Sequence, residues 1–124
     1  MIETIVDKKR NLTIQKCSGN LTTEEMMDVI NTFYNSSPTE HTLWDFSNAS
    51  TNKIPTDGVR AIFELVKNKG LARQGGKTAI VAPEDLGYGM ARMFQIMSDT
   101  DDFPFKINVF RYYGDASQWL LGKE

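Results

Sequence analysis

The alternation of strand-like and helix-like segments constrains the fold of this chain more than any other feature of its sequence. Five segments are rich in the β-branched and apolar residues that favour strands, and they cover residues 2–7, 11–17, 41–46, 77–82 and 105–111. From the second strand onward, each strand is followed by a segment with apolar residues at helical spacing. The predicted order of elements is therefore β-β-α-β-α-β-α-β-α.

This order predicts an α/β fold with one mostly parallel, five-stranded sheet. Strands that alternate with helices favour parallel pairing and right-handed crossovers. Only Lys8–Arg10 separates the first two strands, so we expect a hairpin in which the first strand is antiparallel. A length of 124 residues suits one domain, which we predict to span residues 1–124.

The polar residues of the strands indicate where the helices lie. A sheet that helices cover on both faces is apolar throughout. Here the second strand alternates apolar residues with Thr13 and Gln15, and the last strand alternates them with Lys106 and Asn108. We therefore expect the helices mainly on one face, and the other face partly open to solvent, to a partner or to a second copy in a homodimer.

Local signals predict several element ends. Thr22 and Glu25 have the spacing of a capping box at the start of the first helix. Thr56 is the expected N-cap of the second helix, and Gly70 is its expected stop. We expect a polar loop from Ser47 to Lys53.

Composition excludes several classes of function. The chain has one cysteine and one histidine, which excludes an intramolecular disulfide, a cysteine-based zinc site and a multi-histidine metal centre. Its net charge of -2 and pI of about 5.4 argue against a nucleic-acid-binding surface. We expect no metal and no cofactor.

The sequence also predicts a cytoplasmic location. Glu3 and Asp7 interrupt the N-terminal segment, which lacks the apolar run of a signal peptide. No apolar run approaches the roughly 18 residues that a membrane-spanning helix needs. A lone Cys17 fits the reducing cytosol.

No group of residues has the pattern of a catalytic site. The segment Gly70–Thr78 resembles a phosphate-binding loop, but Leu71 stands where the first glycine belongs. The segment also leads from a helix into a strand, so we interpret it as a helix stop followed by a flexible basic loop. Cys17 and His41 would need a third group and a shared pocket with Asp45 to act together. We therefore predict that the protein is not an enzyme.

Two regions are candidate binding sites. In open parallel sheets, ligands bind at the carboxyl ends of the strands, and the segment Ser47–Thr56 leaves such an end and reaches a helix N-terminus. The third helix carries apolar and aromatic side chains that pack in the core or form an adaptable surface for a partner or an apolar ligand. These residues are Tyr88, Met90, Met93, Phe94 and Met97, and Leu86 extends the same predicted apolar stripe.

The chain resembles the STAS domain of bacterial anti-sigma-factor antagonists in its element order and in Asp45-Phe46-Ser47 at the end of the third strand. It is most similar to the STAS-like family called SpoIIAA-like, which is related in fold to CRAL-TRIO lipid-binding domains. The segments TAIVAPEDLGYGMARMF (78–94) and INVFRYYGDASQWL (107–120) look typical of that family.

The resemblance implies a regulatory module that binds a protein partner without catalysis. STAS antagonists carry an Asp-Ser-Ser-Gly motif in which a serine is phosphorylated, and Pro55-Thr56-Asp57-Gly58 is the matching stretch here. Asp57 places a fixed negative charge beside the hydroxyl of Thr56, and a phosphate there would add like-charge repulsion. We predict partner binding at Ser47, Thr56, Asp57 and Gly58. The alternative, which rests on the CRAL-TRIO likeness, is a binder of a small apolar or lipid-like ligand.

Overall fold

The computed structural model describes residues 1–122, so the last two residues of the predicted domain lie outside the described part. The strands are β1 (Ile2–Asp7), β2 (Leu12–Asn20), β3 (His41–Ser50), β4 (Lys77–Val81) and β5 (Lys106–Phe110). The helices are α1 (Thr23–Asn35), α2 (Thr56–Lys69), α3 (Asp85–Thr100) and α4 (Tyr113–Leu121). A short 3-10 turn, Gly70–Arg73, joins α2 to the loop before β4.

The strands form one sheet in the order β1-β2-β3-β4-β5. β1 is antiparallel to β2, and every other neighbouring pair is parallel. The predicted element order, the sheet of five strands and the antiparallel first strand are therefore confirmed. β3 lies at the centre of the sheet, and its carboxyl end lies beside the carboxyl ends of β2 and β4.

The three crossover helices lie on one face of the sheet, as predicted. Trp44 and Ile80 point from this face toward α2 and α3, where they pack with Val66 and Phe94. α4 instead packs on the opposite face, with Leu120 against the side chains of β3 and β4. At the β1 edge of that face, Ile5 remains exposed.

The prediction for the polar residues of β2 was wrong. Thr13 and Gln15 were expected on the open face, but they are buried on the face that α1 covers. They tolerate burial because they are hydrogen-bonded: the hydroxyl of Thr13 lies 2.7 Å from that of Thr39, and the hydroxyl of Thr4 donates to Gln15 Oε1 at 2.6 Å.

β3 is longer than the sequence predicts. Ser47–Ser50 was expected to begin a polar loop, but it continues the strand. β2 also continues to Asn20, so that Ser18 pairs with Asn48 and Asn20 with Ser50 after a register shift. The loop before α2 is therefore reduced to residues 51–55.

The start of α1 is as predicted, because the hydroxyl of Thr22 accepts a hydrogen bond from the Glu25 amide at 3.1 Å. The start of α2 is not. Pro55 is its N-cap, and Thr56 is already the first helical residue. The side chain of proline has no hydrogen-bond acceptor, so no side chain caps this end.

The apolar stripe predicted for α3 is only partly buried. Leu86 and Met93 are 59% and 45% exposed. The buried face is instead centred on Ala91, Phe94 and Ser98. The small residues Ala91 and Ser98 let α3 lie close to β5, whereas Leu86, Met93 and Ile96 are exposed. None of the helices within residues 1–122 is long and apolar enough to span a membrane.

Candidate functional site

A cavity of about 840 Å³ lies between the sheet and helices α1, α2 and α3. Its size falls within the range of roughly 300–1,000 Å³ that is typical of small-molecule sites. Apolar side chains form most of its walls: Met26, Ile30, Trp44, Phe46, Ile54, Ile62, Val66, Ile80, Met90 and Phe94. Side chains of the sheet and of the three helices surround this space without filling it.

One end of the cavity reaches the carboxyl ends of the parallel strands. It is lined there by Gly19 and Asn20 at the end of β2, by Ser47–Asn52 and by Pro83–Gly87. Several of these residues are exposed, so this end is the mouth of the cavity. The position agrees with the general rule for open parallel sheets, in which ligands enter beside the carboxyl ends of the strands.

The opposite end is closed by the side chain of Arg73, which is only 3% exposed. Its Nε donates to the carbonyl of Glu40 at 3.1 Å, and its Nη2 donates to the carbonyl of Lys77 at 2.9 Å. Its Nη1 donates to the hydroxyl of Tyr34 at 3.4 Å. The side chain therefore ties the 3-10 turn to the amino ends of β3 and β4.

Two aromatic rings complete the surroundings of Arg73. Its guanidinium carbon lies 4.3 Å from the centroid of the Phe105 ring and 5.9 Å from that of Phe33. Gly70 makes room for this arrangement, because a Cβ at that position would lie 2.7 Å from the Phe105 ring. Gly70 keeps a right-handed helical backbone, so it is required for space rather than for a left-handed helix stop.

Within residues 1–122, no carboxylate forms an ion pair with Arg73. Its three acceptors are neutral oxygens. Burial lowers the pKa of the Arg73 guanidinium, while Tyr34 and Glu40 act in the opposite direction. The pKa of arginine lies so far above neutrality that the side chain remains charged. The closed end of this mostly apolar cavity is therefore positively charged.

Polar groups on the floor of the cavity add hydrogen-bonding capacity. Thr42 and Thr78 lie side by side on β3 and β4, with their hydroxyl oxygens 3.0 Å apart. One hydroxyl proton of this pair is used between them, so the other can be donated elsewhere. Gln15 also lines the cavity and uses its Oε1 to accept from Thr4.

The residues predicted to bind a partner do not form one cluster. Ser47 lies at the mouth of the cavity, where its amide donates to Asp45 Oδ1 at 3.0 Å. Thr56 and Asp57 are exposed in the first turn of α2 and do not line the cavity. Gly58 is buried and lies so close to α1 that a Cβ at this position would be 2.2 Å from the hydroxyl oxygen of Thr23.

The residues predicted on α3 separate into two sets. Met90 and Phe94 line the cavity, and the hydroxyl of Thr51 lies 3.4 Å from Met90 Sδ. Tyr88 lies beneath the guanidinium of Arg111, and Met93 is exposed. The remaining member of the predicted set, Met97, is half-buried and does not line the cavity.

The structure does not bring Cys17, His41 and Asp45 together in the cavity, because none of them lines it. Burial raises the pKa of the Cys17 thiol to about 12, so the thiolate form is strongly disfavoured. His41 Nδ1 instead accepts a hydrogen bond from the Lys77 amide at 3.1 Å. Within residues 1–122, no three histidine, cysteine, aspartate or glutamate side chains are grouped as metal ligands.

Comparison with known proteins assigns the fold. No protein-family model and no curated protein matches the sequence. The chain is similar to the crystal structure of an uncharacterised DUF3478-family protein with a SpoIIAA-like fold from Shewanella loihica PV-4. The TM-score is 0.61 at 17% sequence identity, over 97% of this chain and 92% of that one.

The chain has a SpoIIAA-like fold. A second similar structure is that of the anti-sigma factor antagonist SpoIIAA in its unphosphorylated form. Its TM-score is 0.54 at 15% identity, over 98% of this chain and 99% of that one. The predicted resemblance is thus confirmed for the fold, and the SpoIIAA-like architecture spans nearly the whole chain.

Sequence reasoning missed the residues at the closed end of the cavity. Arg73 was interpreted as part of a flexible basic loop, whereas it is buried and bonded to residues far away in sequence. The sequence carries one local sign of a polar site inside the protein, which is the presence of polar residues within otherwise apolar strands: Gln15, Thr42 and Thr78. The sequence does not show that these three face a cavity rather than solvent.

Proposed function

We propose that this chain is a non-catalytic binding module that holds a small apolar ligand in the cavity between its sheet and helices α1–α3. The observation that carries the proposal is the cavity itself, with a volume of about 840 Å³, apolar walls and a mouth at the carboxyl ends of the strands. Binding of an apolar ligand in an apolar space of this size is favourable, because it removes apolar surface from water. A lone buried cysteine suits the reducing cytosol, where we place this activity.

Titration with N-phenyl-1-naphthylamine, a neutral apolar fluorophore, tests the proposal. We expect saturable binding with one site per chain. Ala91→Phe adds a ring at a buried position of α3 that lines the cavity, and we expect it to weaken binding at least tenfold. Met93→Phe is the matched control, because it adds a ring on the exposed side of the same helix. Unchanged binding by Ala91→Phe would show that the probe binds elsewhere and would contradict the proposal.

A second proposed function is binding of a protein partner. It is supported by the fold shared with an anti-sigma factor antagonist and by an apolar stripe on the outer side of α3. Leu86, Met93 and Ile96 are spaced along one helical face and are 59%, 45% and 54% exposed. Leu86 also lines the cavity mouth together with Ser47, so a partner that covers the stripe would reach one of the residues predicted from the sequence.

Affinity capture from the cell that encodes the protein tests this second function. We expect a specific protein to be retained by the wild-type chain and lost with Met93→Gln. Leu71→Gln is the matched control, because Leu71 is 70% exposed but lies outside α3. Asp57→Asn tests the predicted contribution of the start of α2. Failure to recover a specific protein, or its full retention by Met93→Gln, would count against a partner on α3.

A further inference from the structure

Arg73 has hydrogen-bonding capacity that the protein does not use. A guanidinium has five N–H groups, and the three hydrogen bonds of Arg73 use one each on Nε, Nη1 and Nη2. One N–H on each terminal nitrogen therefore has no acceptor within the described residues. Burying an unpaired cation is unfavourable, and buried charges in proteins are usually paired.

Among the lining residues within positions 1–122, Arg73 is also the one cationic residue. The acidic lining residues, Glu84 and Asp85, are exposed at the mouth. Arg111 pairs with Asp85 at 2.8 Å, so the mouth carries the carboxylate of Glu84 and an ion pair, whereas the closed end carries the charge of Arg73. At roughly 3.3 Å per residue, the strand from Thr78 to Ala82 places about 13 Å between the two ends.

We propose that the cavity binds a single-chain amphiphile whose carboxylate head group accepts hydrogen bonds from Arg73 and whose hydrocarbon tail lies along the apolar walls toward the mouth. This inference rests on the proposed ligand-binding function and names the chemical class of the ligand. The hydrogen bond between Thr42 and Thr78 uses one of their two hydroxyl protons. The hydroxyl that keeps the other proton lies on the same cavity floor and can donate a hydrogen bond to the head group.

The charge at the closed end favours a carboxylate over a phosphate monoester. One carboxylate neutralises the single charge of Arg73, and the planar guanidinium matches its two oxygens. A phosphate monoester carries a charge of about -1.5 to -2 at neutral pH. With one cation available, it would leave net negative charge in a buried, apolar site.

Fluorescence titration with cis-parinaric acid and with its methyl ester tests the proposal. The two probes share the same chain, but the ester has no charge. We expect the wild-type protein to bind the acid with a Kd at least tenfold lower than that of the ester. In Arg73→Met, we expect the Kd of the acid to rise at least tenfold and that of the ester to change less than twofold.

Arg60→Met is the matched control, because Arg60 is an exposed arginine of α2 that does not line the cavity. We expect it to leave both affinities within twofold of the wild type. If Arg73→Met does not fold, as judged by circular dichroism, the ratio of acid to ester affinity in the wild-type protein decides the question.

The outcomes separate this inference from the function on which it rests. Equal binding of acid and ester by the wild-type protein would overturn the role of Arg73 and leave an apolar ligand site in place. Failure to bind the acid, the ester and N-phenyl-1-naphthylamine would overturn both. Tighter binding of the acid than of the ester that Arg73→Met retains would place the head group away from Arg73 and would also overturn the inference.

Discussion

Gly58 shows how one absent side chain sets the distance between two helices. A Cβ at this position of α2 would lie 2.2 Å from the Thr23 hydroxyl oxygen and 3.2 Å from Ile54 Cγ2. The sequence resemblance suggested a role for Gly58 in a phosphorylation motif, and the structure adds a packing requirement. The packing of α1 and α2 in turn shapes the wall of the cavity.

Gly58→Ala is therefore expected to destabilise the protein. Overpacking costs about 2 kcal/mol, which exceeds the gain of about 1 kcal/mol from replacing glycine by alanine in a helix. Gly89→Ala is the matched control, since Gly89 is exposed within α3 and no atom lies within 4 Å of its Cβ position. We expect that control to stabilise the protein by about 1 kcal/mol. Urea unfolding measures both, and a similar gain for the two variants would contradict the packing argument.

His41 makes the stability of the protein depend on pH. Burial lowers its pKa below the ordinary value of 6.5, against the opposing effect of Glu40 and with a further lowering effect of Lys77 and Arg73. The neutral ring is required because Nδ1 accepts the Lys77 amide proton at 3.1 Å. Below pH 6.5 the unfolded chain binds the proton more readily than the folded chain, so stability is lost as the pH falls toward the lowered pKa.

We expect the free energy of unfolding to fall between pH 7.5 and 5.5 in the wild-type protein, and to fall less in His41→Asn. Asparagine keeps an acceptor for the Lys77 amide but does not titrate. No other histidine contributes to the change, because His41 is the single histidine of the sequence. An equal fall in the two proteins, measured by urea unfolding at both pH values, would show that His41 does not carry the effect.

For the strands and helices, the sequence predicted those positions that depend on residues close together in the chain. The apolar runs and the Thr22 cap predicted each strand and helix close to its observed place. The extension of β3 through Ser47–Ser50 was missed because its residues are polar and its pairing depends on β2. The burial of Arg73 was missed for the same reason, since its partners lie on α1, at the start of β3 and at the start of β4.

α4 is the element whose position departs most from the predicted layer of helices. Its Leu120 is buried against the face of the sheet opposite α1–α3, whereas the next residue, Leu121, is 40% exposed. Lys77 Nζ also donates to the carbonyl of Trp119 at 3.0 Å. The burial of Leu120 and this hydrogen bond therefore hold the short helix over the centre of that face.

Leu120→Ala is expected to cost about 3 kcal/mol of stability, because it removes a buried side chain and leaves a cavity. Leu121→Ala should change stability by less than about 0.5 kcal/mol, as is usual for exposed positions. Because α4 lies across the sheet from the ligand cavity, neither variant should alter the affinity for N-phenyl-1-naphthylamine by more than twofold while the protein is folded. Chemical unfolding and titration measure the two quantities separately. A similar loss of stability in both variants would mean that α4 does not dock through Leu120.

For the whole molecule, the sequence predicted the SpoIIAA-like fold but not the cavity within it. The fold follows from the order of the elements, whereas a cavity depends on the space that side chains from different elements leave between them. Partner binding at Ser47, Thr56, Asp57 and Gly58 stays a prediction, as does a homodimer through an open sheet face or an apolar helix edge. The structure divides the molecule into a cavity beneath α1–α3 on one side of the sheet and a face on which α4 packs on the other.

The most direct measurement is a crystal structure of the protein with 12-bromododecanoic acid, in which the anomalous signal of bromine locates the end of the tail. We predict carboxylate density within hydrogen-bonding distance of the Arg73 guanidinium and a bromine peak between that end and the mouth beside Ser47. A ligand bound only to the outer surface, or a space between sheet and helices filled by protein side chains, would contradict the account.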